Sequence, residues 1–423
     1  MRRELVVEGT VQGVGFRPFV YRLAQDHRLA GWVCNDERGV VIAVEGEPAE
    51  VAAFERDLRE RPPALAVVSR VRGRDVPPTG ETGFRIVASQ RGEERVATVP
   101  ADAATCADCR ADILDPSNRR YRYPFTNCTH CGPRFTIIKD IPYDRPMTTM
   151  AGFAMCPDCA REYHDPADRR FHAQPNACPA CGPSVRLVDA AGRDLCAAEA
   201  WLEETAARLR AGQIVAVKGI GAFHLACDAT HEGAVARLRQ VKHRRHRPFA
   251  LMARDLATAR LVAEVSPEEE QALTSPAAPI VLLRRLADPA LPVAPSVAPG
   301  VDTLGIMLPY TPLHILLLQE APPLLVMTSG NLSGLPVQYR EEEALRDLAG
   351  LADAFLIHNR PIHVPCDDSV VQVVDGEVRF LRRSRGYVPR EVPAPAPSDG
   401  RTAPAVLGAG GDLKNTFCLL QGR

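Results

Sequence analysis

The sequence predicts a multidomain α/β (α+β) protein in which a duplicated four-cysteine region separates two α/β domains. The chain has 423 residues, more than a single ordinary hydrophobic core accommodates. Strand-like and helix-like runs alternate in its first part and again beyond Ala200, and eight of its 13 cysteines form CxxC pairs between these parts. The expected divisions are 1–90, 100–185 and 200–388, followed at 389–423 by a Pro-rich linker and the truncated start of another domain.

The composition is that of a soluble globular protein, with 46% hydrophobic and 24% charged residues. The net charge of −1 argues against a generally basic nucleic-acid binder. Residues 1–4 run directly into a strand-like stretch without an apolar signal core, and the sequence contains no apolar span of about 18 residues. We therefore expect a cytoplasmic protein whose partners include neither nucleic acid nor a membrane.

The first expected domain contains a candidate phosphate-binding loop. A strand pattern at 4–11 is followed by the glycine-containing stretch 12–17 and then by apolar residues at helical spacing from Pro18. Glycines let backbone N–H groups approach an anion at a helix N-terminus, and Arg17 can add a bidentate contact. An ordinary α/β module with a tight turn is the alternative. The later elements are expected as strands through Val33, at 40–44, near Val67 and at 84–87, with a helix at 51–58.

The central region repeats the pattern C-x2-C-x18-C-x2-C at an offset of 50 residues. Two thiolates of a CxxC pair converge on one ion and four close a tetrahedral shell, so the spacing predicts two structural zinc ions. Disulfides are the alternative chemistry, and exchange of CxxC pairs between the halves is an alternative grouping. The favoured ligand sets are Cys106, Cys109, Cys128 and Cys131 for one ion and Cys156, Cys159, Cys178 and Cys181 for the other.

The third region holds a second group of candidate anion-binding residues. A buried strand pattern at 214–217 runs into Lys218, and a later helix from about Glu232 ends in the basic run 242–248. A solvated helix end or a nucleic-acid patch is the alternative for that run. Two polar stretches follow: a hydroxyl- and amide-rich turn at 328–334, able to hold phosphates or a magnesium shell, and an arginine-rich stretch at 382–387.

The first domain resembles the acylphosphatase family. The resemblance rests on residues 11–17 (VQGVGFR) and 31–35 (GWVCN), together with the expected order of strands and helices. It implies a ferredoxin-like β-α-β-β-α-β fold. It also implies that Arg17 binds a phosphoryl group and that Asn35 orients the attacking water.

The third region resembles the YrdC-like family of adenylate-forming domains. Its motifs are the K-x-R pair Lys242 and Arg244, the S-x-N pair Ser329 and Asn331, and Arg385 before a glycine. The resemblance implies an ATP and magnesium site in which separated cations, with Lys218 as a further candidate, neutralise departing pyrophosphate. Residues 218–225 stand where threonylcarbamoyl-AMP synthases have a threonine-rich substrate strand, which favours a smaller carbamate as substrate.

The three parts in this order resemble the HypF family, the carbamoyltransferases of NiFe-hydrogenase maturation. The resemblance implies that carbamoyl phosphate is hydrolysed in the first domain and that carbamate then forms carbamoyl-AMP with ATP in the third. In that family a last domain transfers the carbamoyl group to the C-terminal cysteine of the partner protein HypE. Most of that domain is expected to be missing from this sequence.

Three other classes share part of the pattern. A threonylcarbamoyl-AMP synthase of tRNA modification would share the ATP-site residues but would not need the acylphosphatase loop. A zinc-ribbon nucleic-acid-binding protein would share the CxxC pairs but should have a strongly basic face. An aminoglycoside-type O-carbamoyltransferase would share only the third region.

Overall fold

The computed structural model describes residues 1–89, 97–392, 403–410 and 417–422. These residues separate into two compact units. Within the described ranges, no helix is both long and apolar enough to cross a membrane. The first unit contains Met1–Ser184, Thr311–Leu313 and Asn359–Val364, and the second contains Val185–Tyr310, His314–His358 and Pro365–Arg423.

The first unit begins with a five-stranded sheet and two helices. The elements are β1 (Arg2–Thr10), α1 (Phe16–Asp26), β2 (Ala30–Asn35), β3 (Val40–Glu45), α2 (Pro48–Glu60), β4 (Val67–Val76) and β5 (Phe84–Ile86). In space the strands lie in the order β4-β1-β3-β2-β5, and neighbours are antiparallel except β2 and β5. This is the predicted ferredoxin-like β-α-β-β-α-β arrangement, with β5 added beside β2.

An apolar core lies between this sheet and its helices. Leu5, Ile42 and Phe54 are fully buried in it, because alternate residues of a strand and one face of a helix point to the same side. Gly31 lets β2 lie directly against β3, since a Cβ at this position would be 2.0 Å from the carbonyl oxygen of Ala43. The close pairing fixes the position of the strand that ends at Asn35.

Two short helices mark the two halves of the cysteine repeat. They are α3 (Ala107–Leu114) and α4 (Pro157–His164), and each begins directly after the first cysteine of its half, Cys106 or Cys156. The first CxxC pair of each half therefore lies at a helix N-terminus, where the helix dipole favours a thiolate. Two 3-10 turns, Arg145–Met147 and Thr149–Gly152, lie between the halves.

The second unit is built on a ten-stranded mixed sheet. Its strands are β6 (Val185–Val188), β7 (Val215–Lys218), β8 (Phe223–Asp228), β9 (Ala250–Ala253), β10 (Ile280–Arg284), β11 (Thr303–Met307), β12 (Leu324–Ser329), β13 (Ala354–His358), β14 (Val370–Val374) and β15 (Glu377–Arg382). They lie in the order β15-β14-β10-β11-β9-β12-β8-β7-β13-β6. The helices after β6 are α5 (Trp201–Arg210), α6 (Glu232–Val241), α7 (Leu256–Arg260), α8 (Pro267–Thr274), α9 (Pro312–Glu320) and α10 (Glu341–Asp347), with 3-10 turns at Ala198–Ala200 and Pro295–Val297.

Three strand ends meet at one edge of this sheet. β8 pairs antiparallel with both β7 and β12, and its residue His224 lies opposite Val217 on one side and Ser329 on the other. The end of β7 at Lys218, the start of β8 and the end of β12 at Ser329 are therefore neighbours. This edge collects polar groups that lie far apart in the sequence.

The structure confirms the predicted multidomain α/β (α+β) class. Near the end of the described chain, β16 (Ala403–Ala409) and β17 (Phe417–Gly422) form an antiparallel pair. The expected linker extends over 389–397 and the expected turn of a further domain over 407–415. Residues 393–397 and 411–415 of these stretches lie outside the described residues.

Candidate functional site

The loop between β1 and α1 forms the floor of a pocket. Gly13 and Gly15 adopt positive φ angles of 68° and 76°, and Gly15 caps the N-terminus of α1. These left-handed conformations suit glycine, and they turn the chain sharply before the helix. Arg17, in the first turn of α1, and Asn35, at the end of β2, both line the pocket. The structure thus brings together the two residues that the sequence assigns to phosphoryl chemistry.

Asn35 is the polar group that the described protein leaves unsatisfied in this pocket. Its side chain is buried, with 1% of its surface exposed, and neither its amide nitrogen nor its amide oxygen has a hydrogen-bond partner. Leaving a buried polar group without a partner costs about 1–3 kcal/mol. A small molecule with both donors and acceptors, such as water, would satisfy this amide, which suits the predicted role in orienting water.

Arg17 is held by an acidic residue of the cysteine region. Its Nη2 donates a hydrogen bond to Asp144 Oδ1 at 2.8 Å, and its Nη1 donates to Ser89 Oγ at 3.4 Å. Ser89 Oγ in turn donates to the second carboxylate oxygen of Asp144. Asp144 therefore neutralises the buried guanidinium and fixes its plane at the mouth of the phosphate loop.

The cysteine region also holds the backbone of the phosphate loop. The Tyr143 N–H donates to Gln12 Oε1 at 2.8 Å, and Arg134 donates from Nε to the Gly13 carbonyl oxygen. Arg134 is buried and also donates to the carbonyl oxygens of Cys131 and Cys128, the second CxxC pair. The pocket therefore has a second wall, formed by Thr129, Arg134, Tyr143, His172, Ala173 and Gln174.

The eight paired cysteines form two clusters of four, one from each half of the repeat. Within each cluster the ligand atoms lie within 4.8 Å of one another, and neighbouring sulfurs such as Cys106 and Cys128 are 3.7 Å apart. A tetrahedral zinc ion with bonds of about 2.3 Å requires sulfurs about 3.8 Å apart. Both clusters therefore fit zinc, and they are the two ligand sets that the repeat predicts.

Arginines from each half of the repeat reach the cysteines of the other half. Arg169 Nη1 donates to Cys109 Sγ at 3.0 Å, and Arg119 Nη2 donates to Cys159 Sγ at 3.3 Å. Arg119 and Arg169 occupy equivalent positions in the repeat. Hydrogen bonds to a ligating sulfur offset the negative charge that four thiolates place around one divalent ion.

Carboxylates complete the same exchange between the halves. Glu162 accepts hydrogen bonds from Arg119 and Arg120, and Asp112, at the equivalent position, accepts from Arg169 and Arg170. Burial alone would raise the pKa of Glu162, but hydrogen bonds from Arg120 and Arg119 outweigh it and lower the pKa to about 2. Each half is thus joined to the other by ion pairs as well as by bonds to sulfur.

Lys242, Ser329 and Asn331 meet directly in the second unit. Lys242 is 1% exposed, and its Nζ donates to the carbonyl oxygens of Ser329 and Asn331, each at 2.5 Å, and to Asn331 Oδ1 at 3.0 Å. Ser329 Oγ donates to the same Asn331 oxygen at 2.7 Å. The K-x-R lysine therefore fixes the conformation of the S-x-N turn.

Arg244 lies in a separate cluster of cations. Its guanidinium donates to the carbonyl oxygens of Arg247 and Pro248. Burial, followed by the positive charges of Arg239, Arg247 and Arg382, lowers the pKa of Arg244 to about 10. A polyanion such as a triphosphate would relieve this repulsion between like charges.

Arg385 is committed to contacts inside the second unit. It is 2% exposed, and its Nε donates to Asp368 Oδ1 at 2.7 Å while its Nη atoms donate to the carbonyl oxygens of Ala277 and Ala278. The other oxygen of Asp368 lies 2.9 Å from His224 Nε2. Because His224 pairs across the sheet with Ser329, Arg385 is connected to the S-x-N turn through two intermediate side chains.

Asp368 compensates the buried charge of Arg385, so replacing Asp368 with asparagine is expected to destabilise the protein. Burial raises the pKa of Asp368, but the charges of Arg385 and His224 outweigh burial and hold it well below its usual range. An uncompensated buried cation costs about 3–5 kcal/mol. Chemical denaturation should show this loss for Asp368→Asn, whereas Asp302→Asn, at an exposed position of the same unit, should change little. Equal stability of the two variants would contradict the assignment.

Lys218 lies at the end of β7, one strand away from this network. It is 5% exposed, its Nζ donates to the His358 carbonyl oxygen at 2.8 Å, and it pairs with Glu341 at 3.6 Å. The sheet therefore brings Lys218, His224 and Ser329 to one edge, as three neighbouring strand ends.

Sequence reasoning missed two residues that contact Arg17, namely Asp144 of the cysteine region and Ser89 of the first domain. Asp144 and Ser89 belong to no recognisable motif and are 127 and 72 residues away from Arg17. His172 could have been found from the repeat. It occupies the position that is equivalent to Arg122, and the two residues have the same left-handed backbone, with φ angles of 54° for His172 and 56° for Arg122. The difference between their side chains is therefore the signal that the sequence offers.

Three protein-family models match the chain. The Acylphosphatase model matches residues 3–86, and the HypF finger model matches 105–138 and 155–188. The Sua5/YciO/YrdC model, described as telomere recombination, matches 207–384. Each part of the chain that carries a candidate site thus has a family counterpart.

Curated relatives match the chain at two scales. The carbamoyltransferase HypF2 of Cupriavidus necator is 48% identical over 442 aligned residues, covering 100% of this chain and 54% of the relative. The acylphosphatase of Moorella thermoacetica is 48% identical over 90 residues, covering 21% of this chain and 96% of that protein. The chain spans about half the length of the relatives that match it from end to end.

A solved structure resembles the entire chain. A crystal structure of full-length HypF in the phosphate- and nucleotide-bound form superimposes with a TM-score of 0.92 at 46% identity, covering 100% of this chain and 54% of that protein. The chain is therefore similar to this structure in both sequence and fold over its whole length.

Proposed function

Because the chain belongs to the HypF family of carbamoyltransferases, we propose that it performs the first two reactions of a carbamoyl transfer in NiFe-hydrogenase maturation. The first is hydrolysis of carbamoyl phosphate, and the second is formation of carbamoyl-AMP from carbamate and ATP. The observation that carries the proposal is the pocket that unites Arg17 with the unpartnered amide of Asn35. The proposed functional parts are 1–90 for hydrolysis, 100–185 for zinc and 200–388 for ATP.

In the first reaction, Arg17 and the N-terminus of α1 bind the phosphoryl group of carbamoyl phosphate. The amide of Asn35 orients a water molecule, which attacks phosphorus. The bond between phosphorus and the carbamoyl oxygen breaks, and the products are carbamate and inorganic phosphate. Asp144 keeps the guanidinium of Arg17 in place throughout, because the two side chains form an ion pair at 2.8 Å.

In the second reaction, a carbamate oxygen attacks the α-phosphorus of ATP and pyrophosphate leaves. Lys242, Arg244 and Lys218 supply the positive charge for the triphosphate, with magnesium as its counter-ion, and Ser329 and Asn331 form the turn beside it. Arg385 belongs to the same site, where its contact with Asp368 orients His224. The nucleotide-bound form of the related full-length HypF supports an ATP site in this family.

The two zinc ions are structural in this proposal. Each four-thiolate shell is closed, so zinc supplies a cross-link and no coordination position for a substrate. Cys106, Cys109, Cys128 and Cys131 would hold one ion, and Cys156, Cys159, Cys178 and Cys181 the other.

Transfer of the carbamoyl group is proposed to follow these two reactions. Residues 389–423 would form a linker and the first part of a carbamoyl-transfer domain. That domain would pass the carbamoyl group to the C-terminal cysteine of HypE, which is the proposed protein partner. We propose a cytoplasmic location and no nucleic-acid or membrane partner for this activity.

Incorporation of labelled pyrophosphate into ATP tests the second reaction. Exchange should depend on carbamoyl phosphate and magnesium, and threonine should not stimulate it. Replacing Lys242 and Arg244 together with alanine should reduce exchange by on the order of 10²-fold or more, because both stabilise the charge that develops on pyrophosphate. Phosphate release from carbamoyl phosphate should continue, since it uses a separate loop.

The same basic run provides a matched control. His243 and Arg245 are exposed neighbours, and their replacement with alanine should leave exchange within about twofold of the unaltered protein, as expected for surface substitutions. Exchange that survives the Lys242 and Arg244 replacement would contradict the proposed ATP site. Pyrophosphate exchange driven by threonine and bicarbonate would instead indicate a threonylcarbamoyl-AMP synthase of tRNA modification. This is the alternative function for the region matched at 207–384.

A further inference from the structure

The pocket around Arg17 is made by two parts of the first unit. Val11, Gly13, Gly15, Phe16, Arg17, Pro18 and Asn35 come from the ferredoxin-like domain, whereas Thr129, Arg134, Tyr143, His172, Ala173 and Gln174 come from the cysteine region. The acylphosphatase of Moorella thermoacetica is matched over 96% of its length by 90 residues, so it has no counterpart of the second wall. This chain therefore has a wall that the Moorella thermoacetica protein lacks.

The two walls would face different parts of a bound acyl phosphate. The first wall supplies the groups that bind the phosphoryl oxygens and orient water, so the acyl group is left to meet the second wall. We propose that the cysteine region is the acyl-group specificity element of this pocket, and that Thr129 and His172 restrict it to small acyl groups such as carbamoyl. This inference rests on the proposed hydrolysis of an acyl phosphate.

Thr129 is a rigid boundary of the pocket. It lies between Cys128 and Cys131, and it is buried, with 7% of its surface exposed. A Cβ built on Gly15 would lie only 3.2 Å from the Thr129 Cβ, so Thr129 packs directly on the phosphate loop. Its Oγ1 also donates to the Arg169 carbonyl oxygen at 3.3 Å. Thr129 is fixed by the zinc-ligating cysteines on both sides of it in the sequence and by its hydrogen bond to the Arg169 backbone. Its side chain therefore cannot move aside for a larger substrate.

His172 borders the pocket from the other half of the repeat. Its ring packs against Phe171 and Tyr163, with centroid distances of 4.7 and 5.0 Å. The backbone N–H of His172 donates to the Tyr163 carbonyl oxygen at 3.0 Å. Burial, and then the charges of Arg17 and His164, lower the pKa of His172 to about 3, so its ring is neutral at ordinary pH. A neutral imidazole offers one donor and one acceptor, which match the carbonyl oxygen and amino group of a carbamoyl group.

The inference is tested by comparing carbamoyl phosphate with benzoyl phosphate, an acyl phosphate that carries a large aromatic group. The unaltered protein should have the higher kcat/KM for carbamoyl phosphate. In His172→Gly the ratio of benzoyl to carbamoyl kcat/KM should rise by about tenfold or more, since one buried contact is worth this factor in substrate discrimination. Thr129→Ala provides a second variant and should change the ratio in the same direction.

Arg122→Gly is the matched control. Arg122 has the equivalent repeat position and the same left-handed backbone as His172, but it does not line the pocket described above. Its replacement should therefore leave the substrate ratio within about twofold of the starting value. Zinc content of two ions per chain in all variants shows that the clusters of the cysteine region are intact.

Inhibition by inorganic phosphate separates the two walls. Its Ki should change less than threefold in His172→Gly if the first wall alone holds the phosphoryl group. An unaltered substrate ratio in both pocket variants would overturn the inference while leaving the hydrolysis itself intact, and so would a large rise in the phosphate Ki. Failure of the unaltered protein to hydrolyse either substrate would overturn the proposed hydrolysis and this inference together.

Discussion

Replacing Arg17 with lysine is expected to abolish phosphate release from carbamoyl phosphate almost as completely as replacement with alanine. A lysine keeps the positive charge, but its compact ammonium cannot bond to Asp144, Ser89 and the phosphoryl group in one fixed plane as the guanidinium does. Loss of one preoriented group of this kind lowers kcat by on the order of 10²- to 10³-fold. Steady-state release of phosphate from carbamoyl phosphate measures the effect.

Asn35→Asp should fail in the same assay for a different reason. The new carboxylate would stand beside the phosphoryl group, where like charges repel, and it could no longer donate a hydrogen bond. Arg22→Lys, at an exposed position of α1, is the control for lysine in this helix. If Arg17→Lys or Asn35→Asp retains phosphate release close to that of the control, the first domain is a scaffold and the catalytic assignment is wrong.

Removal of zinc is expected to unfold the cysteine region and to stop carbamoyl phosphate hydrolysis as well. Structural zinc binds with an apparent free energy of about 10–16 kcal/mol. Because the unfolded chain has no preformed site, this binding free energy contributes to the free energy of folding. Freshly purified protein should contain two zinc ions, one for each cluster. Hydrolysis should be lost because Gln12, Gly13 and Arg17 each bond to a residue of this region.

Metal analysis, circular dichroism and phosphate release, followed together during chelation, check this expectation. Cys128→Ser should lose zinc and activity, whereas Cys196→Ser, outside both clusters, should keep two ions and full activity. One zinc equivalent or none in fresh protein would contradict the metal assignment. Full hydrolysis after both ions have been removed would show that the phosphate loop stands without the cysteine region.

The sequence was informative wherever chemistry depends on residues a few positions apart. The glycine loop before Arg17 and the CxxC pairs are local patterns, because a helix N-terminus and a four-thiolate shell are built from neighbouring residues. The succession of strands and helices along the first domain followed from the same kind of evidence. These features could therefore be predicted without knowing how distant parts of the chain meet, whereas the ferredoxin-like fold was implied by the resemblance to the acylphosphatase family.

The partners of those residues depend on tertiary structure, which local spacing does not encode. Asp144 contacts Arg17 although the two residues are 127 positions apart, and no sequence motif marks Asp144. Arg385 shows the opposite difficulty: its motif suggests a direct triphosphate contact, whereas the folded chain engages all of its guanidinium nitrogens with Asp368 and two carbonyl oxygens. A motif thus identified the residue, but only the packing around it shows which contacts it makes.

The exchange of arginines between the two cysteine clusters has the symmetry of a dimer interface. Arg119 contacts Cys159, and Arg169 contacts Cys109. Each half of the repeat therefore donates to the other half the same contact that it accepts from it. Interfaces of this self-complementary kind normally join two identical chains related by a two-fold axis. The duplication therefore carries within one polypeptide a contact that a single copy could satisfy only by pairing with a second molecule.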